Sequence, residues 1–298
     1  MDSLNNHRAA AMNRMSEDII AAIVAQHAPG LVKEQAGELI QGWINKFERI
    51  DRDLHIVAVE QPWYEWLNDN TLAVGVRDLI LENGVGEWKT HRAPRIRKDG
   101  QFYEGEGPEP WAAKMHDSIQ LALYARTDAP TEFLCRAAIK TSPPTYWQKL
   151  ITISPERAQL ARHALIVQAE IIRAARRCAP PWRFPDAHRP FNRPCACALE
   201  PPNVKNSHYI YSKPLMQHSD PGYAAVEEAL ATLGDYPHPD DLVVLSASAY
   251  EASVQCMEGY RRTLLANTEG EESEALQLGS CFHAGLAAYY RNLMEEWE

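Results

Sequence analysis

Apolar positions at helical spacing predict helices over residues 14–27 and 33–49, the first with Ile19, Ile20, Ile23 and Val24 on one face. Residues 54–61 read as a strand. The run Val74-Gly-Val-Arg-Asp78-Leu-Ile-Leu, followed by Asn83-Gly84, predicts a β-hairpin over 73–90, with the turn at Asn-Gly. A loop rich in glycine and charge covers 91–110. One helix is expected over 111–126, where Met115, Ile119, Ala122 and Leu123 recur at helical spacing. Two β-rich runs, 132–140 and 146–153, flank Pro143-Pro144. Ser154-Pro155 then opens a long helix to about Arg177, with serine as cap and proline in the first turn. Further helices are predicted over 222–234, 248–266 and 273–296. This order describes an α/β protein, with a small mixed sheet surrounded by helices and no internal repeat.

The hairpin carries the first candidate chemistry. Glu87 and Lys89 lie two apart on the returning strand and therefore share a face. Asp78, on the neighbouring strand, can meet that face. Two carboxylates and an ammonium at one sheet end suit a hard divalent cation with a lysine beside it. A surface hairpin carrying the same residue types by chance is the alternative at this level.

Two further elements make the pattern more specific. Gln120 and Tyr124 stand four apart on one face of the 111–126 helix, and Val57-Ala-Val-Glu60-Gln-Pro-Trp precedes the hairpin as a strand. Together these segments resemble the PD-(D/E)XK nuclease superfamily, in particular its RecB/AddB-like branch, which includes CRISPR adaptation nucleases. That branch shows a Gly-x-Asp strand, an (Asp/Glu)-x-Lys strand and a Gln-x-x-x-Tyr helix. It usually opens with a Ser-rich segment, a cysteine and a Gly-x-x-x-His helix. Here Leu245-Ser-Ala-Ser248 to Cys256, then Gly279-Ser-Cys-Phe-His283, match that opening but lie near the C-terminus. The motif order therefore looks circularly permuted. Residues 1–200 would form the core, 201–241 a Pro-rich bridge, and 242–298 a helical segment completing the same domain.

The resemblance implies a restriction-endonuclease-like core and a set of roles. Asp78, Glu87, the Trp88 carbonyl and His283 would hold Mg²⁺ or Mn²⁺. Lys89 would act on the attacking water or the developing charge, and Gln120 and Tyr124 would hold DNA or orient Lys89. Glu60 could support these ligands from behind, but a glutamate at a strand end reads more simply as solvated. The relatives also carry a four-cysteine iron–sulfur cluster. Cys256 matches its first ligand, and Arg193-Pro-Cys195-Ala-Cys197 resembles the later part. The spacing departs from the family: His188 and Pro201 stand where cysteines are usual, so Cys178 or His188 and Cys197 would have to substitute. A [4Fe-4S] cluster, zinc, or buried thiols without metal all remain open. Cys135 and Cys281 read as core residues.

Net charge is −10 over 298 residues, which does not describe a protein that coats nucleic acid without selectivity. A local basic group, His91, Arg92, Arg95, Arg97 and Lys98, follows Lys89; it is either a solvated loop or, from its place beside the site, a candidate for phosphate contact. Arg173, Arg176 and Arg177 suit a helix C-terminus and carry no functional weight. The chain has no apolar stretch of membrane-spanning length and no signal-peptide pattern at residue 1, so a cytoplasmic protein is expected. The resulting expectation is a metal-dependent deoxyribonuclease, an exonuclease processing ends in recombination or repair, of phage or mobile-element type, with DNA and a helicase or recombination protein as partners. A DNA-binding or assembly subunit with an iron–sulfur staple and little turnover is the alternative, and an RNA-directed or structure-specific endonuclease a third reading.

Overall fold

A computed structural model describes residues 31–177, 242–255 and 274–295. The helices expected at 14–27 and 222–234, the bridge 201–241, and Cys178, Cys195, Cys197 and Cys256 lie outside the described residues. In chain order the elements are α1 (Leu31–Asp51), β1 (Ile56–Asn68), β2 (Thr71–Leu81), β3 (Gly84–Arg92), α2 (Pro108–His116), α3 (Ile119–Tyr124), β4 (Thr131–Lys140), β5 (Thr145–Ile153), α4 (Pro155–Arg177), β6 (Val243–Leu245), α5 (Ala247–Gln255) and α6 (Glu274–Glu295).

The strands form one mixed sheet of six, ordered β1-β2-β3-β4-β5, with β6 beside β2. The β1–β2, β2–β3 and β4–β5 pairs are antiparallel, while β3–β4 and β2–β6 are parallel. A parallel β3–β4 pair needs a crossover, and α2 and α3 supply it. Helices cover both faces. On one face α1 presents Ala36, Leu39, Ile40, Trp43, Ile44 and Phe47 at i, i+3, i+4 spacing, and these pack with Leu79, Trp88, Phe282, Leu286 and Tyr290. On the other face Val85, Phe133, Cys135, Ala137 and Ile139 meet α2, α3, α4 and α5. Among the described residues no helix is long and apolar enough to cross a membrane.

Several boundaries differ from the expectation, each for a local reason. The predicted helix 111–126 is two helices. Asp117 ends α2, and Ser118 restarts the chain as the cap of α3, its hydroxyl accepting from the Gln120 N–H. Strand β1 runs on to Asn68, past Pro62, because β1 is an edge strand and tolerates a missing N–H. The hairpin loop is Glu82-Asn83, with Leu81 facing Gly84, one residue earlier than the Asn83-Gly84 turn. Neither loop residue has a positive φ. Gly84 is required for another reason: a Cβ there would lie 2.6 Å from the Glu132 carbonyl oxygen. The segment expected as wholly helical from 242 begins with a strand, because the β-prone Val243-Val-Leu245 finds a free edge on β2 at Thr71–Ala73.

Candidate active site

The site forms where two strands part. Pairing of β2 with β3 stops at Leu79–Gly86, so Asp78 and Glu87 are the first residues beyond the last pair. From there β3 follows β4 alone, through Arg92. Asp78 turns into this junction, and its Oδ2 accepts the Trp88 backbone N–H at 2.9 Å. Glu87 is fully buried. Its Oε1 takes the Lys89 ammonium at 2.5 Å and the Gln120 amide at 2.8 Å. Gln120 also accepts from Lys89 Nζ at 3.2 Å, so Glu87, Lys89 and Gln120 close a triangle. Glu87 Oε2 is buried with no hydrogen-bond partner.

Tyr124 takes a structural post beside them. Its hydroxyl donates to the Val76 carbonyl at 2.8 Å, on the stretch of β2 that neither β3 nor β6 pairs. The ring lies on Gly75, where any Cβ would collide with the Tyr124 hydroxyl. Gly75→Ala is therefore expected to dislodge Tyr124 and α3 at a cost of about 1–3 kcal/mol, the usual range for overpacking. A chemical denaturation midpoint unchanged from wild type would disprove that close approach. Arg77 adds a feature the sequence did not disclose. Its guanidinium lies beside both the Trp63 and Tyr124 rings, 5.5 and 5.7 Å from their centroids, while the rings meet edge to face at 5.4 Å, and it donates to the Tyr124 carbonyl at 3.2 Å.

Helix α6 delivers His283 to the same place from 195 residues beyond Trp88 in the chain. His283 Nδ1 lies 3.0 Å from the Trp88 indole nitrogen and 3.4 Å from Asp78 Oδ1. One ring nitrogen cannot accept from Trp88 and donate to Asp78 at once. The shorter contact is the hydrogen bond of the neutral ring, and the Asp78 contact is an ion pair of the charged ring. Trp88, expected to lend its carbonyl to a metal, contributes its backbone N–H to Asp78 and its indole to His283. Glu60 is not simply solvated. It adopts a φ of 49°, level with Asp78 between the Val59–Leu79 and Gln61–Arg77 pairs, and binds Arg291 of α6 at 2.8 Å.

The basic loop is partly neutralised. Arg92 and Arg95 bind Glu106 at 2.8 and 3.1 Å, and Arg97 stacks on Tyr103, while Lys98 is exposed. Arg173 is buried and donates to the Asn70 carbonyl, so it braces the β1–β2 turn rather than capping a helix. Cys135 and Cys281 are buried free thiols, and burial pushes Cys135 up to about 12.

Charge in the cluster is unevenly shared. Burial alone would raise the Asp78 carboxyl, but His283, Lys89 and the Trp88 N–H outweigh it and hold Asp78 below the usual range. Glu87 goes the other way: burial, then the Asp78 charge, lift it to about 7. Burial would lower Lys89, yet Glu87 and Asp78 hold its ammonium well above the ordinary value. Both members of the Glu87–Lys89 pair are raised, which favours the charged lysine but the neutral carboxyl. Two carboxylates beside one lysine resolve this, since Lys89 and Asp78 stay charged and the excess proton resides on Glu87. Burial pulls His283 down, and Asp78 more than reverses this.

Among the described residues no three His, Cys, Asp or Glu side chains converge as a ready metal cage. A magnesium-type ion does not need one, because it commonly takes one or two carboxylates and keeps its waters. Asp78 and Glu87 meet that requirement, and the unpartnered Glu87 Oε2 is the atom such an ion would satisfy. This yields a prediction for protein kept in chelator. Glu87 and His283 both have raised folded values, so the folded state holds extra protons above about pH 4.5 and 6.5 respectively. Stability from both is therefore lost as pH rises from 5.5 to 8. Mn²⁺ binds ionised carboxylates and should reverse that slope. Melting curves at both pH values, with and without Mn²⁺, test it; parallel slopes would contradict a metal site here.

Comparison with known proteins finds no matching family model, no matching curated protein and no matching solved structure.

Proposed function

We propose that this protein is a metal-dependent DNA nuclease built on a restriction-endonuclease-like core, with the opening helix of its relatives relocated to α6. The observation that supports the reading most is the convergence of Asp78, Glu87, Lys89 and Gln120 at the β2–β3 junction, with His283 brought in by a distant helix. A surface hairpin carrying these residues by chance would leave them solvated. Here Asp78 and Glu87 are buried, and buried carboxylates are retained only against a cost.

Asp78 and Glu87 would hold Mg²⁺ or Mn²⁺, with His283 favouring Mn²⁺ somewhat. Such an ion supplies positive charge for the phosphate and acidifies an attacking water. Lys89 remains protonated and donates to the water or to a non-bridging phosphate oxygen, where negative charge develops. Gln120 fixes the Lys89 ammonium through one amide atom and Glu87 through the other. Tyr124 holds α3 on β2, and thereby Gln120. Water would attack phosphorus and release a proton to solvent, the P–O ester bond would break, and the leaving alkoxide would take up a proton from solvent, so that one water is added across the ester.

An exonuclease acting on DNA ends is the form we favour. The test is digestion of end-labelled linear DNA and covalently closed circular DNA with Mg²⁺ or Mn²⁺. Loss of the linear form alone supports end processing, and loss of both indicates an endonuclease. No metal-dependent cleavage of either would refute the nuclease reading.

A further inference from the structure

Behind the site lies a buried polar cluster that the proposed chemistry does not use. Asp51 ends α1 and Arg136 lies mid-strand in β4; their side chains are 0 and 3% exposed. Arg136 Nη1 binds Asp51 Oδ1 at 2.5 Å and the Tyr290 hydroxyl at 2.9 Å. The same hydroxyl donates to Asp51 Oδ2 at 3.0 Å and accepts from the Trp43 indole at 3.2 Å. A phenol oxygen has one proton and two lone pairs, so all three are used. Three groups from two other elements therefore fix that oxygen from different directions.

Tyr290 is seven residues from His283 on α6, two helical turns on the same face, about 10.5 Å along the axis. One side chain spans that interval. The Trp88 indole stacks on Tyr290, with centroids 5.1 Å apart and planes 11° apart, and its N–H reaches His283. A fixed Tyr290 oxygen thus sets both the height and the rotation of α6, and with them the place of the His283 ring against Asp78.

A buried ion pair is a poor stabiliser. Taking both charges out of water costs more than their attraction commonly returns, and apolar replacements of similar volume are often neutral or better. Stability is then no sufficient reason for Asp51 and Arg136. We infer that Asp51, Arg136 and Tyr290 are positioning residues that hold α6 so that His283 completes the site with Asp78. This rests on the metal-site reading above, but it can fail separately.

The test compares three proteins in their full-length form: wild type, the apolar pair Asp51→Leu with Arg136→Met, and Tyr290→Phe. The last removes one oxygen, keeps the stack, and serves if the double variant does not fold. The apolar pair removes two buried charges but leaves the Tyr290 hydroxyl without its acceptor, so it should still melt cooperatively, yet bind Mn²⁺ roughly 10–100-fold more weakly, the usual loss when a ligand's support is removed. In a His283→Ala background the same pair should leave Mn²⁺ affinity unchanged, because its effect runs through that ring. Wild-type Mn²⁺ affinity in the variants, or an equal loss without His283, would overturn the inference. Should wild type bind no Mn²⁺, the metal reading falls, and the Trp88 indole N–H resonance, assigned with Trp88→Phe, still decides. It should move in Tyr290→Phe; an unmoved resonance would mean that α6 does not depend on the network.

Discussion

Lys89→Met should lower DNA cleavage by about 10²–10³-fold or more, the size of effect seen when one donor to developing charge is removed, while leaving Mn²⁺ affinity at or above wild type. Methionine keeps the length and the apolar stem but removes the ammonium that sits 2.5 Å from Glu87. That ammonium competes with a metal ion for the same carboxylate, so its loss cannot weaken metal binding through charge. The fold should survive. Glu87 already lies near 7, and protonating it once its counter-charge is gone costs little at neutral pH. Cleavage of labelled DNA and calorimetric Mn²⁺ titration read the two effects separately. A wild-type rate would remove Lys89, and with it the proposed mechanism.

Asp78→Asn should abolish both cleavage and metal-induced stabilisation. The asparagine oxygen can still accept the Trp88 N–H, so the β2–β3 junction is preserved. What is lost is the negative charge. His283 should then lose the carboxylate that raises it, and the site one of its two carboxylates. Without metal, the variant should melt at or below wild type at neutral pH, because the folded site holds the Asp78 carboxyl below its usual range and so favours the charge that asparagine lacks. At saturating Mn²⁺, about 100 times the dissociation constant, wild type should gain roughly 2.7 kcal/mol that the variant does not. Equal thermal shifts in the two proteins would place the metal elsewhere.

The elements of the fold were largely legible as patterns. The i, i+3, i+4 spacing that places Leu39, Trp43 and Phe47 on the buried face of α1 is a property of the local sequence. So is the Ser154-Pro155 start of α4. The departures occur where tertiary surroundings outweigh local preference. Asn83-Gly84 is a strong turn signal, yet the loop falls one residue earlier, because Gly84 is needed where the β4 backbone comes close. Val243–Leu245 becomes a strand because β2 has a free edge there, and no sequence window contains that fact.

At the site, residue types are local information, and the two-residue period of a strand already puts Glu87 and Lys89 on one face. The four-residue helical repeat likewise put Gln120 and Tyr124 together. A resemblance of motifs, not a period, pointed to His283. The parting of β2 and β3 after Leu79–Gly86, and the placement of His283 beside Asp78 by α6, come from packing between elements. The same holds for Arg136, flanked by Cys135 and Ala137 in β4, which meets Asp51 and Tyr290 in the interior. The physical reason is range. Periodicity reports which face a residue takes within its own element, whereas the choice of partner across 195 residues depends on how whole elements pack and which buried polar groups must satisfy one another.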